Sequence, residues 1–100
     1  MKITRHADKR LRKRTGVKRS AVTKMARKAL TDGYTRQDFS GSLRRYLDAL
    51  YYHNESANNI RVWGEKVWIF HDFTLITVLD LPQRYKNRAN GIAKKDSADD

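Results

Sequence analysis

The sequence predicts an α+β fold in which N-terminal helices pack on one face of a C-terminal three-stranded antiparallel β-meander. Apolar residues recur at three- and four-residue steps through the first half of the chain, and this spacing gives way to β-rich runs from residue 59 onward. With 100 residues the chain has room for one domain. We place that domain at residues 1–85 and expect residues 86–100, which are polar and aperiodic, to form a flexible tail.

Two helices are predicted in the first third of the chain. The first spans His6–Arg14 and has a thin apolar stripe made of Ala7 and Leu11. The second spans Lys18–Asp32 and has a broader stripe, formed by Val22, Met25, Ala26, Ala29 and Leu30. Gly33 follows it, at the position after the helix C-terminus where a left-handed backbone is needed. The two helices are therefore expected to form a hairpin with one apolar seam and a basic exterior.

A third helix and three strands are predicted in the remainder of the domain. Ser42 is the expected N-cap of the helix, because apolar residues follow it at helical spacing. The strands are Asn59–Trp63, Lys66–Phe70 and Thr74–Leu79. Pro82 ends the last of them. A brief strand at Lys2–Thr4 is also predicted. We expect Leu30, Leu47, Val67 and Ile69 to be core residues.

The two-residue turn Gly64-Glu65 fixes which side chains share a face of the sheet. If Trp63 is paired with Lys66, the core face carries Ile60, Val62, Val67 and Ile69. The other face then carries Asn59, Arg61, Trp63, Lys66, Trp68 and Phe70. Aromatic rings interleaved with cations are suited to stacking on bases and neutralising phosphates. The alternative is a second hydrophobic layer, with these rings covered by the third helix or the tail.

The positive charge of this protein is segregated along the chain. The net charge is +11, and residues 1–28 hold twelve Lys or Arg against the single acid Asp8. The remaining 72 residues have ten basic and ten acidic side chains and so sum to zero. A charge distribution this uneven attracts polyanions. A charged surface that serves solubility alone is the alternative, although solubility does not require segregation.

Several classes of site are excluded or disfavoured by composition. The chain has no Cys, which excludes disulfides and thiolate metal sites. The three His residues have no metal-ligand spacing, so no metal site and no cofactor are predicted. Glycine-rich phosphate loops and paired catalytic carboxylates are lacking. With neither a signal peptide nor an apolar run of membrane-spanning length, the sequence predicts a cytoplasmic protein that makes no membrane contact.

One edge of the first helix has residues suited to metal-free RNA cleavage. His6, Arg10 and Lys13 lie at positions i, i+4 and i+7. An imidazole exchanges protons with the 2′-hydroxyl or the leaving oxygen, and the cations stabilise the charge on phosphorus. A surface or capping histidine is the plainer interpretation of His6.

Two segments resemble a known family. The opening Ile3-Thr4-Arg5-His6-Ala7-x-x-Arg10-Leu11-x-x-Arg14 resembles the N-terminal His-Ala-x-x-Arg helix of small proteins with the RelE-like, barnase-type ribonuclease fold. The closing Thr74-Leu75-Ile76-Thr77-Val78-Leu79 resembles the last strand of that group. The resemblance implies a compact α+β protein of toxin or phage type that acts on RNA. It also implies that His6 and Arg10 are catalytic and that Thr77 borders the site.

The leading hypothesis is therefore nucleic-acid binding, above all to RNA, with metal-independent endoribonuclease activity as an open possibility. The alternative is a non-enzymatic, phage-type inhibitor that binds a host nucleic acid or nucleoprotein complex through the same surface. A cognate acidic inhibitor is a further candidate partner. The residues predicted to contact nucleic acid are Lys9, Arg12, Lys13, Arg14, Lys18, Arg19, Lys24, Arg27, Lys28, Arg61, Trp63 and Trp68.

Overall fold

The computed structural model describes residues 1–54 and 56–99, without the side chains of residues 14, 15 and 93–99. It is an α+β structure with four strands and four α-helices in these residues. In chain order the elements are β1 (Lys2–Ile3), α1 (Arg5–Thr15), α2 (Arg19–Asp32), a 3₁₀ turn (Arg36–Asp38), α3 (Gly41–His53), β2 (Asn59–Trp63), β3 (Lys66–His71), β4 (Thr74–Asp80) and α4 (Gln83–Asp99).

The sheet has four strands, because the brief strand predicted at Lys2–Thr4 is present as β1 and joins the three strands of the predicted meander. The strand order is β1-β4-β3-β2, and β1 is parallel to β4 whereas the other neighbours are antiparallel. Thr4 holds β1 in place, because its backbone N–H donates to Leu75 O at 2.9 Å and its hydroxyl donates to Ile76 O at 2.7 Å. The predicted meander is thus present, but a short N-terminal strand makes the sheet mixed.

The helices cover both faces of the sheet, which corrects the prediction that they pack on one. The α1–α2 hairpin encloses one core, made of Ala7, Leu11, Val22, Ala26, Ala29, Trp68, Phe70, Leu75 and Val78. The α3 and α4 helices contribute to the other core, which includes Leu43, Leu47, Ile60, Val62, Val67, Ile69, Leu81, Tyr85 and Ala89. The physical reason is that β3 has side chains on both faces that are too apolar to leave in water.

The predicted register of the β2–β3 hairpin is confirmed. Trp63 is paired with Lys66, Val62 with Val67, and Ile60 with Ile69. Gly64 and Glu65 both have φ of 60°, as a tight two-residue turn between twisted strands requires. Of the predicted core residues, Leu47, Val67 and Ile69 are fully buried, whereas Leu30 is half-buried.

Three local predictions were wrong. Gly33 is not left-handed, since its φ is −67°. The third helix begins at Gly41 with Ser40 as its N-cap, so Ser42 lies inside the first turn. The chain after Pro82 is helical where a tail was predicted from residue 86, because Tyr85 and Ala89 lie on one side of α4 and are buried against the sheet. The flexibility predicted for residues 86–100 stays a prediction; residue 100 and the side chains of residues 93–99 lie outside the described part of the chain.

Within the part of the chain that is described, no helix is both long and apolar enough to cross a membrane.

Candidate nucleic-acid interface

The candidate interface is the outer surface of the α1–α2 hairpin. Thr4 caps α1, because its side chain accepts a hydrogen bond from Ala7 N at 3.2 Å. The inner side of α1 needs only Ala7 and Leu11 to contact the sheet. The other described positions of this helix are therefore exposed or half-buried, and most of them are basic.

Nine of the described Lys and Arg side chains in residues 5–28 are exposed. They are Arg5, Lys9, Arg12, Lys13, Lys18, Arg19, Lys24, Arg27 and Lys28. Eight of the nucleic-acid contacts predicted from the sequence are among them, and Arg5 is the addition. Arg14 also belongs to α1, but its side chain lies outside the described residues.

Little acidic charge opposes this surface. Among the described side chains, ion pairs join Arg12 to Asp8 at 3.6 Å and Lys28 to Asp32 at 4.0 Å. Both pairs are long, and the side chains of both cations are largely exposed, so the pairs hold these cations weakly. The surface, which we call the basic plate, therefore retains most of its positive charge for a ligand.

Two open cavities lie along the basic plate. One, of about 470 Å³, extends along α1 and is lined by Arg5, Lys9, Arg12 and Lys13, with Asp8, Gly16 and Val17. The other, of about 640 Å³, is lined on α2 by Ser20, Thr23, Lys24, Arg27, Lys28 and Thr31 with Asp32. Cations beside hydroxyl groups are the side chains that contact phosphate oxygens in nucleic-acid complexes. The plate thus has the chemistry of a phosphate-binding surface.

The predicted aromatic face of the sheet is closed. Trp68 is fully buried beneath α1 and α2, and its Nε1–H donates to Trp63 O at 2.8 Å. Trp63 is half-buried and packs against the same core, with its ring 5.8 Å from that of Trp68. The second hydrophobic layer, which the sequence left as the alternative, is therefore the correct interpretation. Its cover is the α1–α2 hairpin rather than the third helix or the tail.

Arg61 is half-buried at the outer strand β2. Its Nη1 donates to Gly33 O at 2.9 Å and its Nε donates to Asn59 Oδ1 at 3.1 Å. It also lines an open cavity together with Leu30, Asn58, Asn59, Asp72 and Phe73. Trp63 lines a separate, smaller cavity of about 320 Å³, together with Asp32 at the end of α2.

The residues predicted to be catalytic do not converge. His6 is exposed on α1 and Arg10, one turn later, is half-buried. The Nε atom of Arg10 is buried and has no hydrogen-bond partner in the described structure. Thr77 is paired with Ile69, which belongs to the core on the α3–α4 side. Since directly paired residues share a face, the sheet separates Thr77 from the hairpin that carries His6 and Arg10.

A β-bulge in β4 is responsible for this separation. Ile69 is paired with Thr77 and Phe70 with Leu75, so Ile76 is the extra residue. One inserted residue reverses the alternation of side chains in the strand. Regular alternation would have placed Thr77 on the same face as Leu75, beneath the hairpin. A sequence pattern alone does not reveal such an insertion.

Two groups with shifted pKa values, Tyr46 and Asp48, lie on the α3–α4 side of the sheet. The hydrogen bond from Arg36, together with Arg44, lowers the pKa of Asp48. Burial, with the neighbouring Tyr85, raises the pKa of Tyr46; the two rings are 5.1 Å apart. Asp48 joins the 3₁₀ turn to α3, so we attribute a structural role to it. No group of three or more His, Asp or Glu side chains in the described residues is placed to bind a metal.

Phe73 is an exposed residue that the sequence analysis missed. It lies in the β3–β4 turn and is 72% exposed. A large aromatic residue directly after Asp72, at a turn rather than inside a strand, was the available signal.

Comparisons with protein-family models, with curated proteins and with solved structures find no match to this chain.

Proposed function

We propose that this protein binds nucleic acid, RNA above all, through the basic plate on the outer faces of α1 and α2. The observation that carries the proposal is the set of nine exposed cations on one layer of the molecule, with two long ion pairs opposing them. Contacts of this kind neutralise phosphates without reading the base sequence. The preference for RNA rests on the RelE-like resemblance.

Binding without cleavage is the form of this function that the geometry favours. A metal-free ribonuclease needs its proton-transfer groups and cations around one phosphate, and the sheet lies between Thr77 and the two α1 residues His6 and Arg10. This separation favours the non-enzymatic alternative, a protein that masks a nucleic acid or a nucleoprotein complex. The RelE-like family and the toxin role remain hypotheses, as does a cytoplasmic location.

The test is a pair of charge-reversal variants with the same change in net charge. Lys9→Glu with Lys24→Glu alters the basic plate, whereas Arg45→Glu with Lys86→Glu alters α3 and α4 on the other side of the sheet. Binding of a fluorescent single-stranded RNA is measured by anisotropy at low salt. We expect the plate variant to lose at least tenfold in affinity and the control to lose much less. Equal losses would show that net charge alone attracts RNA.

Cleavage is measured on the same samples. Intact RNA after prolonged incubation, with and without EDTA, is the expected result for a binding protein. A 2′,3′-cyclic phosphate product that persists in EDTA and disappears in His6→Ala would instead restore the ribonuclease hypothesis.

A further inference from the structure

The β3–β4 turn, which carries the exposed ring of Phe73, is held in place by hydrogen bonds. Asp72 has a left-handed backbone with φ of 52°. Asn58 braces it from both sides, since its Nδ2 donates to Asp72 Oδ1 at 2.9 Å and its Oδ1 accepts from Asp72 N at 2.8 Å. His71 Nδ1 is hydrogen-bonded to Ser56 O. The turn that presents Phe73 is thus tied to the loop before β2 and is ordered in advance of any ligand.

Phe73 lies beside a cavity rather than over the core. The cavity has a volume of about 640 Å³ and is lined by Leu30, Asn58, Asn59, Arg61, Asp72 and Phe73. Arg61 presents a guanidinium plane whose orientation is fixed by its hydrogen bonds to Gly33 O and Asn59 Oδ1. An aromatic ring and a guanidinium group beside one open space are side chains that stack on unpaired bases.

The cavity adjoins the basic plate. Leu30 lines it from α2, and Arg27, which lines the cavity on the plate, lies one turn earlier on the same helix. A nucleic-acid strand whose phosphates follow α2 therefore passes close to Phe73. This continuity between a phosphate-binding surface and an exposed ring identifies the occupant by its chemistry, because a purely apolar partner would gain nothing from the adjoining cations.

We propose that Phe73 stacks on an unpaired base of a single-stranded nucleic acid, in the cavity that it shares with Arg61. This proposal rests on the proposed function, because the phosphates of the same strand are held by the basic plate. It adds a preference for single strands over duplexes, since a base within a duplex is stacked on its neighbours and does not reach the ring. Every base has a π face, so stacking alone imposes little sequence preference.

The experiment uses an oligonucleotide that contains 2-aminopurine, whose fluorescence is quenched when the base stacks. Binding is measured for the single strand and for a matched duplex. We expect Phe73→Ala to lower the affinity for the single strand by roughly fivefold to a hundredfold and to abolish the quenching that the protein causes. Affinity for the duplex should stay unchanged, because its phosphates contact the plate alone.

Two further variants separate stacking from other effects. Tyr52→Ala removes a ring that is 78% exposed at the end of α3, and it should change neither affinity. Phe73→Leu keeps an apolar side chain without a π face, so it should resemble Phe73→Ala. Phe73 is 72% exposed, so circular dichroism spectra of its variants should match the wild type.

The outcomes distinguish the two proposals. Wild-type single-strand affinity and quenching in Phe73→Ala would overturn the stacking proposal while leaving phosphate binding intact, and would leave Phe73 free to contact a protein. Wild-type behaviour of Phe73→Leu would show that the pocket is merely apolar and would also overturn stacking. Failure of the wild-type protein to bind either oligonucleotide at low salt would overturn the proposed function itself.

Discussion

A glycine is required at position 33, at the end of α2, because a larger residue would not fit, and not because of the backbone angle. Its φ is −67°, which any residue adopts. A Cβ atom at this position, however, would lie 2.3 Å from Ala29 O and 2.9 Å from the Arg61 Cβ. The backbone oxygen has little freedom to move, since it accepts the Gly33 N–H bond that ends the helix. The glycine thus permits close contact between α2 and β2.

We therefore predict that Gly33→Ala destabilises the protein. Overpacking of this kind costs about 1–3 kcal/mol, which corresponds to a loss of at least about 4 °C in melting temperature for a domain of this size. The measurement is thermal unfolding followed by circular dichroism. Gly91→Ala is the control, because nothing lies within 4 Å of its added Cβ. In helix α4 that change should be neutral or stabilising. A Gly33→Ala protein as stable as the wild type would mean that the helix end shifts without cost.

Ile76 shows that one extra residue in a strand changes which side chains lie on each face of the sheet. As the extra residue of the β4 bulge, it sends Thr77 to the α3–α4 side and allows Val78 to pack under α1 and α2. The resemblance of this strand to a ribonuclease family rests on its amino-acid sequence and not on where its side chains lie. The position of the threonine hydroxyl relative to His6 depends on the bulge, which no residue type in the segment signals.

Helix α4 illustrates an element that depends on its packing. Its residues before position 93 include many polar side chains, and its apolar stripe consists of Tyr85, Ala89 and Ile92. These lie four and three residues apart, and Tyr85 and Ala89 are buried in the α3–α4 core. Because the central residue of this stripe is a small alanine, the apolar periodicity that would predict the helix from the sequence is weak. The sheet face supplies the apolar surface that completes the helix.

We predict that Ala89→Asp lowers the free energy of unfolding by several kcal/mol, because it places an unpaired carboxylate in an apolar core. Asn87→Asp makes a carboxylate two residues earlier on the exposed side of the same helix, so it should change stability by less than about 0.5 kcal/mol. Urea unfolding of the two variants provides the comparison. Equal stability of both variants would support the prediction that residues 86–100 form a flexible tail.

At the scale of the whole molecule, the folded chain separates charge by layer. The α1–α2 layer carries the exposed cations of the basic plate, whereas several acids outside it are paired with nearby cations, as Asp48 is with Arg36 and Arg44. Such a layer directs a field of one sign toward solvent and raises the rate of encounter with polyanions. Binding should accordingly be dominated by the release of counterions from the nucleic acid.

We predict a steep salt dependence of RNA binding. If about six phosphates are neutralised, the affinity should fall roughly a thousandfold between about 50 and 200 mM salt. Anisotropy titrations across this range measure the slope. The Lys9→Glu, Lys24→Glu variant should show a shallower slope, because it makes fewer phosphate contacts. An affinity independent of salt would contradict phosphate binding by the basic plate.

The sequence by itself determined the features that depend on near neighbours in the chain. Helical spacing predicted both ends of α1 and α2, and the start of α3, to within about two residues. The turn Gly64-Glu65 predicted the register of the β2–β3 hairpin. The concentration of positive charge in residues 1–28 predicted the basic plate, because a helix with so thin an apolar stripe as α1 must expose its other side chains.

Only the tertiary structure decided which surfaces stay open. In β3, four consecutive apolar residues from Val67 to Phe70 place large side chains on both faces of the sheet. A pattern of this kind shows that both faces are apolar but not what covers them. The α1–α2 hairpin covers Trp68 and Phe70, which removes the predicted stacking surface and leaves Phe73 exposed in the adjoining turn. Those outcomes depend on contacts between residues far apart in the chain, where local periodicity carries no information.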